Sequence, residues 1–135
     1  MKILAIDYGD ARIGMAVSDP FGMIAGDAWT MEEWNGERAV ERIAEEVKNR
    51  SIERIVLGYP KNMDGTLGPR AEKSEALAEK LREKTGLQVI LWDERRTTVD
   101  AHRILSEAGK YGKKRKSKVD AVAATLILEG YLNSI

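Results

Sequence analysis

Apolar residues follow a strand-like spacing in the first thirty positions and a mixed helix-and-strand spacing afterwards. Residues 2–7 form a short apolar run, Ile3, Leu4, Ala5 and Ile6, that ends in an acid, Asp7. A turn at Tyr8, Gly9 and Asp10 follows. Residues 12–19 then alternate, with Ile13, Met15 and Val17 on one side, which predicts a half-buried strand. Pro20, Phe21 and Gly22 signal a turn, and a third strand is expected over about residues 23–29. Three strands joined by short turns predict an antiparallel meander.

The period then lengthens. Val40, Ile43, Ala44 and Val47 recur at helical spacing within residues 37–50. Ile55, Val56 and Leu57 form a continuous apolar run, as expected of a strand covered on both faces. Residues 58–68 are rich in turn formers, and Pro69 can open a helix that Gly86 closes. Val89, Ile90, Leu91 and Trp92 read as a second buried strand leading into Asp93 and Glu94. Thr97 or Thr98 can cap a helix ending at Gly109, and Ser117 can cap a last helix reaching about residue 133. The order βββαβαβαα predicts an α/β protein: a mixed five-stranded sheet, part meander and part parallel, flanked by helices. With 135 residues, no internal repeat and no dividing linker, residues 1–135 are expected to form one domain.

Composition narrows the chemistry. There are no cysteines, which rules out disulfides, thiolate metal sites and nucleophilic cysteines, and with one histidine and no paired Ser-His-Asp arrangement the composition leaves acid-and-metal chemistry as the natural choice. The apolar run at the N-terminus is too short for a signal peptide or membrane span, so a cytoplasmic setting is expected and no membrane partner. Lys and Arg total 22, as do Asp and Glu, so any grip on a polyanion must rest on local charge. Residues 110–118 supply it, with Lys113, Lys114, Arg115 and Lys116 at the centre. They read as a flexible arm able to hold a phosphate backbone.

Three acids stand where a metal ligand is useful. Asp7 and Glu94 each close an apolar strand, and Asp120 begins the last helix. Each also has an ordinary reading: an Asx turn before Gly9, a charged exit from a strand, and a capping-box partner of Ser117. Together they are more informative, because a hard divalent ion takes carboxylates from separate elements. Small neighbours, Ala123 and Ala124, would let the last helix lie close to the sheet and turn Asp120 inward. Arg12 and Arg95 flank the acids and suit either a salt bridge or a phosphate. Asn62 and Arg70 sit in a glycine-bearing loop that leads into a helix start, a natural place for a phosphate. His102 reads as a helix surface residue. Trp29, Trp34 and Trp92 read as packing, with Trp34 the best candidate for base stacking.

Several motifs also fall in order: Leu4 to Gly9 with Arg12, Ile13 and Gly14; Gly58, Tyr59 and Pro60 with Asn62, Asp64 and Gly65; Gly68 to Ala71; Asp93, Glu94 and Arg95 with Thr97 and Thr98; and Asp120 to Ala124. This pattern resembles the YqgF (RuvX) family, Holliday-junction-resolvase-like proteins described as pre-16S rRNA nucleases. The resemblance runs from Lys2 to about Leu132. It implies a ribonuclease H-like fold and a metal-dependent nuclease using Mg2+ or Mn2+, with Asp7, Glu94 and Asp120 as its acids. It further implies trimming of the 5′ end of precursor 16S rRNA, with RNA or ribosomal particles as partners. Related junction resolvases carry another acid where this chain has Ala123, which leaves the number of ions open. A resolvase acting on branched DNA, a non-catalytic nucleic-acid-binding or transcription factor, and a phosphotransferase remain alternatives. The last is disfavoured because sugar kinases pair two such domains around ATP. Oligomeric state is open.

Overall fold

The computed structural model describes residues 1–60, 67–93 and 112–135, with side chains of the last helix described from Asp120 onward. Five strands form one sheet: β1 (Ile3–Tyr8), β2 (Arg12–Ser18), β3 (Ala25–Glu32), β4 (Arg54–Tyr59) and β5 (Val89–Asp93). Their order is β3-β2-β1-β4-β5. Strands β1, β2 and β3 are antiparallel neighbours, whereas β4 runs parallel to β1 and β5 parallel to β4. The sheet is therefore mixed, as the sequence predicts. β1, with both neighbours paired, is buried from Ile3 to Ile6.

Three helices are described: α1 (Gly36–Asn49), α2 (Pro69–Thr85) and α3 (Gly112–Ser134). Asn35 caps α1, its side-chain oxygen accepting from the amides of Glu37 at 2.9 Å and Arg38 at 3.1 Å. Ala39, Val40, Ile43 and Val47 then line one stripe and are buried against the sheet. Burial of each larger aliphatic in that stripe is worth roughly 1.5–3 kcal/mol. Pro69 opens α2, and Gly86 closes it in the left-handed conformation at φ 71°, bonding back to the Arg82 carbonyl at 2.9 Å. Among the described residues no helix is long and apolar enough to cross a membrane.

The helices cover opposite faces. Leu4, Ile6, Ile13, Met15, Ile55 and Leu57 pack under α1 and α2. Ile3, Ala5, Ala16 and Val56 pack with Ala124, Ile127, Leu128 and Tyr131 of α3. Trp92 meets Tyr131 edge-on at 6.0 Å, and Arg50 lies 4.0 Å over the Trp29 ring. Both tryptophans thus serve packing, while Trp34 is 74% exposed.

Two expectations are corrected. The third strand starts at Ala25 rather than Met23, because the Asp19 carboxylate accepts the amides of Phe21, Met23 and Ile24 and holds them in a turn. The last helix starts at Gly112 rather than Ser117, so the backbone of Lys113, Lys114, Arg115 and Lys116 is helical and not a loose arm. Lysine and arginine are good helix formers, and their run shows no apolar period to reveal it. The expected helix between Thr97 and Gly109 lies outside the described residues.

Candidate nuclease site

Strand alternation places the key side chains. Ile3 and Ala5 face α3, so Asp7 faces α3 as well; Ala16 faces α3, and so do Gly14 and Arg12. Asp7 pairs with Gly14 in the β1–β2 register. A Cβ built on Gly14 would lie 2.0 Å from the backbone carbonyl oxygen of Asp120. Only a residue without a side chain lets α3 cross β2 at that point. The crossing brings the helix backbone at Asp120 onto the residue beside Asp7. Ala124, buried against Ala5 and Ala16, keeps the approach tight.

Asp120 is the ninth residue of α3, counting from Gly112. It is therefore neither a first-turn acid nor a capping-box partner, and its position is set by the helix crossing. Its carboxyl is pushed up to about 6, first by burial and then by the negative charge of Asp7. Arg12 and Arg70 act in the opposite direction. Arg12 Nε donates to Asp120 Oδ2 at 3.2 Å. Two hard oxygen donors that repel each other in a half-buried setting fit a divalent cation, which relieves the repulsion. Among the described residues no group of three or more such donors occurs; Glu94 lies outside them.

Positive charge gathers at the start of α2. Arg70 lies in its first turn, near enough to depress both Asp10 and Asp120. Lys73 donates to Asp10 at 2.9 Å, tying α2 to the β1–β2 turn. That bond is the first cause of the lowered Asp10 carboxyl and the raised Lys73 ammonium. Tyr59, at the end of β4, donates to Glu75 of α2, which pushes the phenol up to about 12. Reading the sequence alone overlooked Asp10, Lys73, Tyr59 and Glu75; the spacing of Arg70 and Lys73, three apart on one helix, was the available signal. Asp93 ends β5 in register with Tyr59. Asn62, Glu94, Arg95 and His102 lie outside the described residues, as do the side chains of Lys113, Lys114, Arg115 and Lys116.

The RuvX family, described as Holliday junction resolvase, matches residues 1–134. The chain belongs to this family. A Ruminiclostridium cellulolyticum relative named "Putative pre-16S rRNA nuclease" is 46% identical, covering 100% of this chain and 96% of its own. Thermus thermophilus RuvC, solved in complex with a Holliday junction substrate, superposes with a TM-score of 0.64 at 13% identity. That likeness covers 99% of this chain and 97% of RuvC, and it shows the ribonuclease H-like fold. A ROK hexokinase from Thermus thermophilus reaches a TM-score of 0.52 at 25% identity, over 76% of this chain but 38% of the hexokinase. The RuvX chain thus shares a core with that kinase, while its resolvase likeness spans both chains nearly end to end.

Proposed function

We propose that this chain is a nuclease that hydrolyses phosphodiester bonds in structured nucleic acid, working as a single domain over residues 1–135. Asp7, Glu94 and Asp120 would hold Mg2+ or Mn2+, and the preferred substrate is the 5′ region of precursor 16S rRNA, free or in a ribosomal particle in the cytoplasm. The observation that carries the reading is the crossing of α3 over Gly14, which sets Asp120 against Asp7. RuvX membership and the nuclease name of the 46% identical relative support the reaction class.

A divalent ion, when bound, lowers the pKa of a water and screens charge at phosphorus. The chain's own residues do the rest. Asp7 and Asp120 present oxygens from a strand end and a helix middle, two elements fixed by the packing between them. Arg12 and Arg70 place cationic donors beside those acids, where a phosphate can accept from them. Asn62, Arg95 and the residues 113–116 extend the same proposed grip. With no cysteine and a single histidine, acid-based hydrolysis is the chemistry the composition favours.

The resolvase description of the family and the RuvC-like fold favour a second reading, cleavage of branched DNA. A cleavage assay with Mg2+ or Mn2+ on precursor 16S RNA and on a four-way DNA junction separates the two. Cutting of the RNA by wild type and its loss in Asp7→Asn is the expected result. Junction cutting alone selects the second reading, and undiminished cutting by purified Asp7→Asn removes the assigned site.

A further inference from the structure

We propose that the Arg12–Asp120 ion pair is an exchangeable clasp that links cation binding to nucleic-acid binding. The proposal rests on the nuclease reading above and deepens it. Among the described residues, Arg12 and Asp120 make their one ion pair with each other, through Nε and Oδ2 at 3.2 Å. The other cations near the acids behave differently. Lys73 is committed to Asp10, outside the acid pair, and Arg70 makes no ion pair among the described residues. Arg12 competes directly for the Asp120 lone pairs that a cation at the acids requires.

Its backbone is held in the sheet, and its side chain is partly exposed. The Arg12 carbonyl accepts from Gly9 at 2.9 Å and its backbone pairs with Glu32 in the sheet. The side chain is 32% exposed, so the guanidinium has solvent to swing into. A divalent cation held by Asp7 and Asp120 would compete with the guanidinium for the Asp120 carboxylate and repel it. A displaced guanidinium is a strong, forked donor for phosphate and joins Arg70 in gripping the backbone. Because binding free energies are reciprocal, nucleic acid that captures Arg12 tightens the cation by the same factor as the cation tightens nucleic acid.

The test has two arms and uses the full chain. Titration calorimetry with Mn2+ alone at pH 8 compares wild type with Arg12→Ala. Binding on the order of tenfold tighter in the variant is expected, since an adjacent positive charge and a competing donor are gone. Equal or weaker binding overturns the clasp. Arg12→Gln keeps most of the side chain's packing and is expected to give the same tightening, so it carries the test where Arg12→Ala does not fold. In the second arm, fluorescence anisotropy reads binding of a labelled RNA hairpin with and without Ca2+. Ca2+ should strengthen wild-type binding several-fold and leave Arg12→Gln nearly unchanged; equal strengthening in both overturns the clasp. Asp7→Asn separates the two levels of the argument. If it binds Mn2+ as wild type does, the metal site itself is misassigned. If it loses Mn2+ while the Arg12 variants match wild type, the clasp alone fails.

Discussion

The two faces of the sheet are built from different materials. Under α1 and α2 lie Leu4, Ile6, Ile13, Met15, Ile55 and Leu57, met by Ile43, Leu77 and Leu81, all large and fully buried. Under α3 large residues also occur, Ile3 and Val56 against Ile127, Leu128 and Tyr131, but where the helix crosses β2 the strands offer Ala5, Gly14 and Ala16, and the helix answers with Ala124. Bulky side chains keep a helix at a distance and bury much apolar surface. Small ones let backbone approach backbone, at the cost of that surface. The strands bury large side chains throughout the first face, whereas the second combines them with a stretch of small ones. On the second, the close approach brings a helix carboxylate against a strand carboxylate, an arrangement no bulky interface would permit. The acids thus sit on the face where small residues interrupt the core.

The sharpest break of this division compares one residue from each face. Asp120→Asn keeps the volume and removes the charge, and cleavage should fall on the order of a thousandfold. Leu81→Ala should lower unfolding free energy by about 3 kcal/mol while the cleavage rate per folded molecule stays within about twofold. Denaturant unfolding and cleavage kinetics on the same preparations read both effects, and an equal loss of rate in the two variants would erase the distinction. Gly14→Ala is next in size. The added methyl has nowhere to go but into the Asp120 carbonyl, so α3 must shift, costing about 3 kcal/mol and most of the activity together. Full activity in this variant would show that the crossing does not set the site.

Gly130→Ala probes the same helix away from the acids. Its Cβ would sit 3.1 Å from the Trp92 ring, a contact the ring can relieve by a small movement. A loss of about 1 kcal/mol in unfolding, with unchanged cleavage, is expected. The smallest effect is electrostatic. Carbon-13 NMR of the metal-free protein should find the Asp120 carboxyl titrating near pH 6, and Asp7→Asn should lower that value by removing a neighbouring negative charge. A carboxyl raised above its unfolded value opposes folding when ionised, so this penalty is complete above about pH 6 and fades as pH falls through it. An Asp120 titration indifferent to Asp7 would mean that the two acids do not share a site.

Strand and helix periods were legible wherever a single face decides the residue. The alternation of Ile13, Met15 and Val17 and the stripe of Val40, Ile43 and Val47 led directly to β2 and α1. Pro69 and Gly86 marked both ends of α2, since each residue has a backbone reason to stand there. Legibility failed where side-chain bonds to the backbone or contacts far along the chain decide the outcome. Asp19 delays β3 through three hydrogen bonds that no periodicity records. Ser117 looked like a cap because serine caps helices, yet it lies within one. Asp7 and Asp120 were readable as candidates from their strand-end and helix settings. Their meeting depends on Gly14, whose need for closeness comes from a segment more than a hundred residues later.

Placing Asp120 nine residues into a continuous helix gives the protein a fixed ruler. At 1.5 Å per residue, the backbone of Lys118 stands about 3 Å along the axis from that of Asp120, and that of Lys113 about 10 Å. The basic run is therefore carried at a set offset from the acids, and inserting one residue between them would both lengthen that offset and rotate the run by roughly 100° about the axis.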